Sequence, residues 1–337
     1  MRLGAQTLSC VCAAILLGAA GHARAAPPQP AVPAVQPAAS GTVPAPTAVA
    51  EPVAEIIYAE PTTFDRVGRV LAPVRVNGQG PFRFILDTGA NRSVLSPRVA
   101  QLLGLTPSAE TSINVHGITG SAVLPAVEID ELKAGGLTVV RNKRMPVLPE
   151  TVLADADGIL GVEGLSNSRI DVDFAAGTVT IGRSRGIPAG KGMLTVPASL
   201  RHRGLLVADG RVGRVRIKAI IDTGAERTLG NAALQAALVL EPSRTQGYGL
   251  ATVHGATPEL AEGTSLRAPT IFLGETELEN LEVTFGDLYV FKLWELEEQP
   301  ALLIGMDLLG TVQRLVIDYR RRELHILPWS KAVEPVH

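Results

Sequence analysis

The sequence predicts a mainly β protein made of two homologous lobes, and three observations carry that prediction. From residue 56 onward the chain runs as short, alternating apolar segments separated by Gly, Pro, Asn and Asp, the pattern of half-buried strands and their turns. Long amphipathic helices are missing from the pattern. The third observation is internal repetition. Phe84-Ile85-Leu86-Asp87-Thr88-Gly89-Ala90 recurs 135 residues later as Ala219-Ile220-Ile221-Asp222-Thr223-Gly224-Ala225. Val115-His116-Gly117 returns as Val253-His254-Gly255, Ile159-Leu160-Gly161 as Leu303-Ile304-Gly305, and Asp173-Phe174 as Asp318-Tyr319. Four landmarks in one order mean a duplicated unit.

The chain begins with Arg2, an apolar stretch over residues 8–20 and Ala23-Arg24-Ala25, the small-x-small pattern of a secretory cleavage site. Residues 1–25 are therefore expected to be a signal peptide. The stretch of about 13 apolar residues is shorter than the roughly 20 needed to cross a bilayer, so no transmembrane span is expected after cleavage. The protein is expected to be exported, as a periplasmic or secreted bacterial protein. Cys10 and Cys12 are its only cysteines and both fall in this segment. The mature chain is then expected to have no disulfide, no thiolate nucleophile and no Cys-ligated zinc. Residues 26–55 are Pro- and Ala-rich and read as a disordered tether, because such a run cannot bury enough surface to offset its ordering entropy.

Residues 56–186 form the N-terminal lobe of this reading, 187–195 the connection and 196–330 the C-terminal lobe. Each lobe runs as a strand, an Asp-Thr-Gly-Ala turn, a short helix, a Gly-containing hairpin, further strands and an apolar pair followed by Gly. Ser96 is placed to cap a helix with Pro97 at its first position, Val99, Leu102 and Leu103 along one side and Gly104 as the stop. Asn231 is placed to cap a second helix carrying Leu234, Ala237 and Leu238. Asn77-Gly78-Gln79-Gly80 reads as a hairpin turn.

Composition excludes several functions. With 31 Lys+Arg against 33 Asp+Glu and no long basic run, nucleic acid is not an expected partner. The densest basic run, Arg320-Arg321-Arg322, is flanked by strand-like residues and reads as a hairpin turn. Aromatic residues make up only 4%, too few for stacking platforms.

Two Asp-Thr-Gly-Ala turns, each preceded by an apolar strand and paired with a downstream apolar-apolar-Gly, resemble the aspartic protease clan. The resemblance extends from about residue 69 to 327. It implies two homologous six-stranded acid-protease-like β-barrel lobes with short helices, related by a pseudo-two-fold axis. The Ala after each Gly is similar to retroviral proteases, so the picture is two retropepsin-like units fused in one chain. The resemblance further implies an aspartic endopeptidase acting on an extended protein or peptide substrate, with Asp87 and Asp222 as the catalytic dyad.

That chemistry explains the repetition. Two carboxylates about 3 Å apart cannot both ionise cheaply, so the pair holds one base and one acid at once. The base takes a proton from an attacking water and the acid hydrogen-bonds the carbonyl oxygen. No cofactor or metal is needed. Gly89 and Gly224 permit a tight turn and close backbone approach. Thr88 and Thr223 match threonines whose hydroxyls cross between lobes in the family. Ala90 and Ala225 replace the hydroxyl residues of pepsin-like motifs, which removes a hydrogen bond to the ionised carboxylate and raises the expected pH optimum. Ile159, Leu160 and Gly161, with Leu303, Ile304 and Gly305, match the element that packs behind each turn. Val162 and Met306 stand where retroviral proteases carry an Arg, so a different polar support is expected, with Arg92 and Arg227 as candidates.

The hairpins at His116-Gly117-Ile118-Thr119 and at His254-Gly255-Ala256-Thr257 read as flaps over the substrate. Their histidines have no third ligand suitably spaced, so metal is not expected. Tyr289, Phe291 and Trp294 read as a local packing cluster, the alternative being that they line one end of the cleft. The alternative function, from another class, is a catalytically silent peptide-binding protein of the same fold. Fusion of the lobes makes a monomer the expected state.

Overall fold

The computed structural model describes residues 9–11, 60–61, 63–65, 68–239, 247–279 and 281–329. The expected signal peptide and tether lie outside the described residues, apart from Ser9–Val11, which pairs in parallel with Gly247–His254. None of the described helices is long and apolar enough to cross a membrane.

The described chain is mainly β with five short helices. Its first lobe is an eight-stranded sheet, ordered Val94–Leu95, Gly158–Leu160, Gln79–Leu86, Val70–Val76, Ser121–Ala134 and Ser108–His116, with Thr63–Phe64 and Leu137–Pro146 attached beside it. The second lobe repeats the pattern. Leu229–Asn231, Ala301–Ile304, Val215–Ile221 and Leu205–Val212 follow one another in the same relation, with Leu260–Arg267 and Gly247–His254 as the flap-side strands.

Strands do not divide evenly between lobes, because the last hairpin of the first lobe leaves its own sheet. Ser168–Asp173 and Thr178–Arg183 join Arg314–Asp318, Glu323–Leu327 and Leu194–Arg201, bringing the second sheet to sixteen strands. The two central strands of this shared region are antiparallel. Arg169 faces Asp318 and Asp173 faces Arg314, so exchanging the strands reproduces the same pairs about a centre at Asp171 and Val316. The bidentate Arg314–Asp171 pair, at 2.7 and 2.8 Å, ties the lobes together there.

Local signals explain the remaining elements. Asn77 and Gly78 both take positive φ in the hairpin that joins Val70–Val76 to Gln79–Leu86. The helix Pro97–Leu102 starts at Ser96, whose hydroxyl accepts the Val99 N–H at 3.1 Å. Its buried side consists of Val99 and Ala100, while Leu102 is 59% exposed, contrary to the expected apolar side. The buried side is centred between Val99, Ala100 and the packed Leu103, and Leu102 lies about 160° round the helix from Ala100. In the helix Ala232–Val239, Asn231 accepts the Leu234 N–H at 2.9 Å, and Leu234 and Leu238 are buried. Arg320, Arg321 and Arg322 form the turn between Arg314–Asp318 and Glu323–Leu327. Strand alternation splits the core: Phe84, Leu86 and Leu160 face one apolar cluster, while Ile85, Ile159, Leu71 and Val115 face a second that also receives Ala256 from the other lobe.

Candidate active site

Each Asp-Thr-Gly-Ala turn is held from behind by a parallel strand. Gly158–Leu160 runs beside residues 84–86, and the Asp87 N–H donates to the Leu160 carbonyl at 3.0 Å. Ala301–Ile304 runs beside residues 218–221, and the Asp222 N–H donates to the Ile304 carbonyl, also at 3.0 Å. Ile159, Leu160, Leu303 and Ile304 are all buried. The following glycines sit against the turns: a Cβ on Gly161 would lie 2.6 Å from the Arg92 carbonyl carbon, and one on Gly305 equally close to that of Arg227. These positions admit no side chain.

Thr88 and Thr223 join the turns reciprocally. The Thr88 hydroxyl donates to the Ile221 carbonyl at 2.7 Å and accepts the Thr223 N–H at 3.1 Å. The Thr223 hydroxyl donates to the Leu86 carbonyl at 2.6 Å and accepts the Thr88 N–H at 3.2 Å. All four bonds are buried, where each is stronger than in water and its loss is costly.

Across the threonine contacts Asp87 and Asp222 are both fully buried, and each carboxyl lies against the glycine of the opposite turn. Oδ1 of Asp87 accepts the Gly89 N–H at 2.9 Å. Oδ1 of Asp222 accepts the N–H groups of Gly224 at 2.9 Å and Ala225 at 3.1 Å. Oδ2 of each receives no donor from any other described residue. The turns also reach across the axis: a Cβ on Gly89 would fall 2.3 Å from Cγ of Asp222, and one on Gly224 would fall 2.2 Å from Cγ of Asp87. Only glycine fits there. Ala90 and Ala225 are fully buried.

Burial raises both carboxyls above the ordinary aspartate range, Asp222 to about 6. The charge of Asp222 pushes Asp87 further up. Backbone N–H donors from the turns and the Arg69 guanidinium act in the opposite direction on both.

Hydroxyl residues and acids make the hydrogen bonds behind the turns, and Arg92 and Arg227 act on those acids through their charges. Arg92 itself donates to the Arg144 carbonyl at 3.0 Å. In the first lobe the Gly161 N–H donates to the Ser93 hydroxyl at 3.1 Å, and the Ser93 N–H donates to Glu163 at 2.8 Å. In the second lobe the Gly305 N–H donates to the Thr228 hydroxyl at 3.1 Å, and Thr228 donates through its N–H and hydroxyl to Asp307 at 3.0 and 2.7 Å. Burial raises the pKa of both acids, while the Thr228 and Ser93 donors and the nearby Arg92 and Arg227 charges oppose it. The signal for this network was present in the repeat: Ser93 and Thr228 follow the two Asp at the same distance, and Glu163 and Asp307 follow the two downstream Gly likewise.

The flap candidates of the two lobes meet each other. Ile118 is fully buried and Gly117 donates to the Gly120 carbonyl at 2.8 Å. The hydroxyls of Thr119 and Thr257 are 3.3 Å apart, and a Cβ on Gly255 would fall 2.7 Å from the Thr119 hydroxyl. The two histidines differ. His116 is buried, with Nδ1 2.8 Å from the Tyr289 hydroxyl and its ring stacked on that of Tyr289, whereas His254 is half-buried opposite Leu260. The Val290 N–H donates to the Ile118 carbonyl at 3.1 Å, so the helix Tyr289–Leu293 of the second lobe holds the tip of the first-lobe hairpin. Phe291 and Trp294 are buried and pack edge to face with centroids 6.1 Å apart, while Tyr289 belongs to the flap contact.

No curated protein matches the chain. A family model described as aspartyl protease matches residues 72–163 and 208–308, more than half of the chain. Each matched block contains one Asp-Thr-Gly-Ala turn with its supporting strand, and on that match the chain belongs to the aspartyl protease family.

Proposed function

We propose that the protein is an aspartic endopeptidase that hydrolyses peptide bonds in extended polypeptide segments, with Asp87 and Asp222 as its dyad. One observation carries the reading: two buried aspartates from separate lobes each lie against the glycine of the opposite turn, and a reciprocal pair of threonines joins the turns that bear them. Two carboxyls so placed share one proton, so the pair contains a base and an acid together. The ionised member removes a proton from a water as its oxygen attacks the scissile carbonyl carbon. The protonated member donates to the carbonyl oxygen, and the resulting tetrahedral intermediate collapses with proton transfer to the leaving nitrogen. The aspartates are fully buried and the tips of the two hairpins touch, so the proposal requires those tips to part for substrate to enter.

The same reading takes the chain as a retropepsin-like pair of lobes working as a monomer, since both aspartates come from one polypeptide. It takes residues 1–25 as an export signal and 26–55 as a tether. The test is incubation of the full chain with a denatured protein, with and without a pepstatin-type inhibitor, analysed by mass spectrometry. Inhibitor-sensitive cleavage that disappears in folded Asp87→Asn and Asp222→Asn variants is expected. Peptide binding without turnover in the wild type identifies a silent peptide-binding protein and overturns the proposal.

A further inference from the structure

Arg69 is the one fully buried arginine or lysine among the described residues. Its Nε donates to Asp65 at 2.6 Å and its backbone N–H to the same carboxylate at 2.8 Å. Its Nη1 and Nη2 have no partner among the described residues. A buried guanidinium left half unpaired is costly, which directs attention to what lies beside it.

The sheet register locates it. Leu71 pairs with Ile85 in the antiparallel ladder, so two residues further along Arg69 comes opposite Asp87, on the face that carries Ile85. In the second lobe Val207 pairs with Ile220, and the same step places Leu205 opposite Asp222. The pseudo-two-fold symmetry is therefore broken here: one aspartate faces an arginine and the other a buried leucine. The asymmetry suits the charge of the pair, which carries one net negative charge when it holds one proton. One cation balances that state, and a second would favour loss of the last proton.

We infer that Arg69 is a positioning residue for the carboxyl pair, a single buried cation that offsets the one negative charge of its monoprotonated form. The inference rests on the proposed protease reading only for its consequence in catalysis. The groups facing the pair are few. They are Arg69, whose charge acts on both carboxyls; Tyr319, buried beside Asp87 with its hydroxyl unpartnered and its pKa raised by burial; and the N–H donors of Gly89, Gly224 and Ala225. On the face that carries the aspartates the supporting strands present apolar Ile159 and Leu303. Asp65 clamps Arg69 at the Nε edge and tempers its charge.

The experiment follows the titration of the pair by carboxyl-carbon NMR in the full chain, alongside the pH dependence of peptide cleavage. Arg69→Gln should move both macroscopic titrations and both limbs of the rate profile upward by about one unit, the direction expected when a nearby cation is removed. Arg69→Lys should restore most of the shift, although it reproduces the bidentate clamp poorly. Asp65→Asn should move the titrations downward, because it removes a negative charge and frees the guanidinium. A folded Arg69→Gln protein with unchanged titrations overturns the inference. If Arg69→Gln does not fold, Asp65→Asn decides, and titrations unmoved in that variant overturn the inference equally. Wild-type protein that titrates as described but cleaves nothing defeats the protease reading alone, so the two failures are distinguishable.

Discussion

The hydroxyl of Thr88 donates to the carbonyl of Ile221 while accepting the N–H of Thr223, so a single side chain satisfies two backbone groups of the opposite lobe. Replacing Thr88 by Val keeps the shape and strands both groups. A loss of roughly 2–4 kcal/mol in unfolding free energy is expected, from one to two buried groups left unsatisfied. Thr88→Ser, which retains the hydroxyl, should lose less than about 1 kcal/mol. Urea denaturation of the two variants measures the difference, and equal losses contradict the hydrogen-bond account.

Asp222 contributes a pH-dependent term of known sign. Its folded pKa of about 6 lies above its unfolded value, so the folded state binds the proton more tightly. The resulting stabilisation is complete below the unfolded value and is lost as pH rises toward and through about 6. Asp222→Asn has no such proton. Its stability relative to wild type should increase between pH 4 and pH 7, as read from urea midpoints across that range. Peptide cleavage should fall in the same variant by about 10²–10⁴-fold or more. A stability difference that is flat with pH contradicts the raised pKa.

Glu163 and Asp307 are matched acids with unequal loads, since Glu163 accepts the Ser93 N–H whereas Asp307 accepts two bonds from Thr228. Glu163→Ala should cost about 1–3 kcal/mol and Asp307→Ala more, because the latter strands two donors. Thermal unfolding of the pair of variants ranks them. The reverse order counts against the network.

The contact between His116 and Tyr289 holds the first-lobe hairpin to the second lobe, whereas His254 stands opposite Leu260 of its own hairpin. Removing the hydroxyl in Tyr289→Phe should weaken closure of the first-lobe tip by about 1 kcal/mol, which is roughly a fivefold change in an opening equilibrium. Hydrogen exchange at the Val290 amide, whose partner is the Ile118 carbonyl, reads this directly. Exchange unchanged from wild type means that the hydroxyl does not secure the tip.

Much of the fold was legible in the residues because duplication writes itself into a chain twice. The alternating apolar runs announced strands, Ser96 and Asn231 announced their helices, and the repeated Asp-Thr-Gly-Ala turns announced a pair of acidic groups. A turn of that composition has few conformations, so its local geometry follows from its glycine and its neighbours. The departures have physical causes. Leu102 lies on the solvent side because the helix turns Val99, Ala100 and Leu103 to the core, and Leu102 is about 160° round from Ala100. Arg92 and Arg227 were candidates for support by charge and proximity in the chain, yet the hydrogen bonds are made by Ser93, Glu163, Thr228 and Asp307, whose spacing repeated but whose bonds cross tens of residues.

By itself the sequence determined the class of fold, the duplication and the two aspartates as the residues of interest, since each depends on local pattern or on comparison of one segment with another. Only the tertiary structure decided that Arg69 is buried opposite Asp87 while Leu205 stands opposite Asp222, that the last hairpin of the first lobe joins the sheet of the second, and that His116 turns to Tyr289. These relations depend on strand register and on which surfaces exclude water, and no residue carries that information until the whole chain has packed.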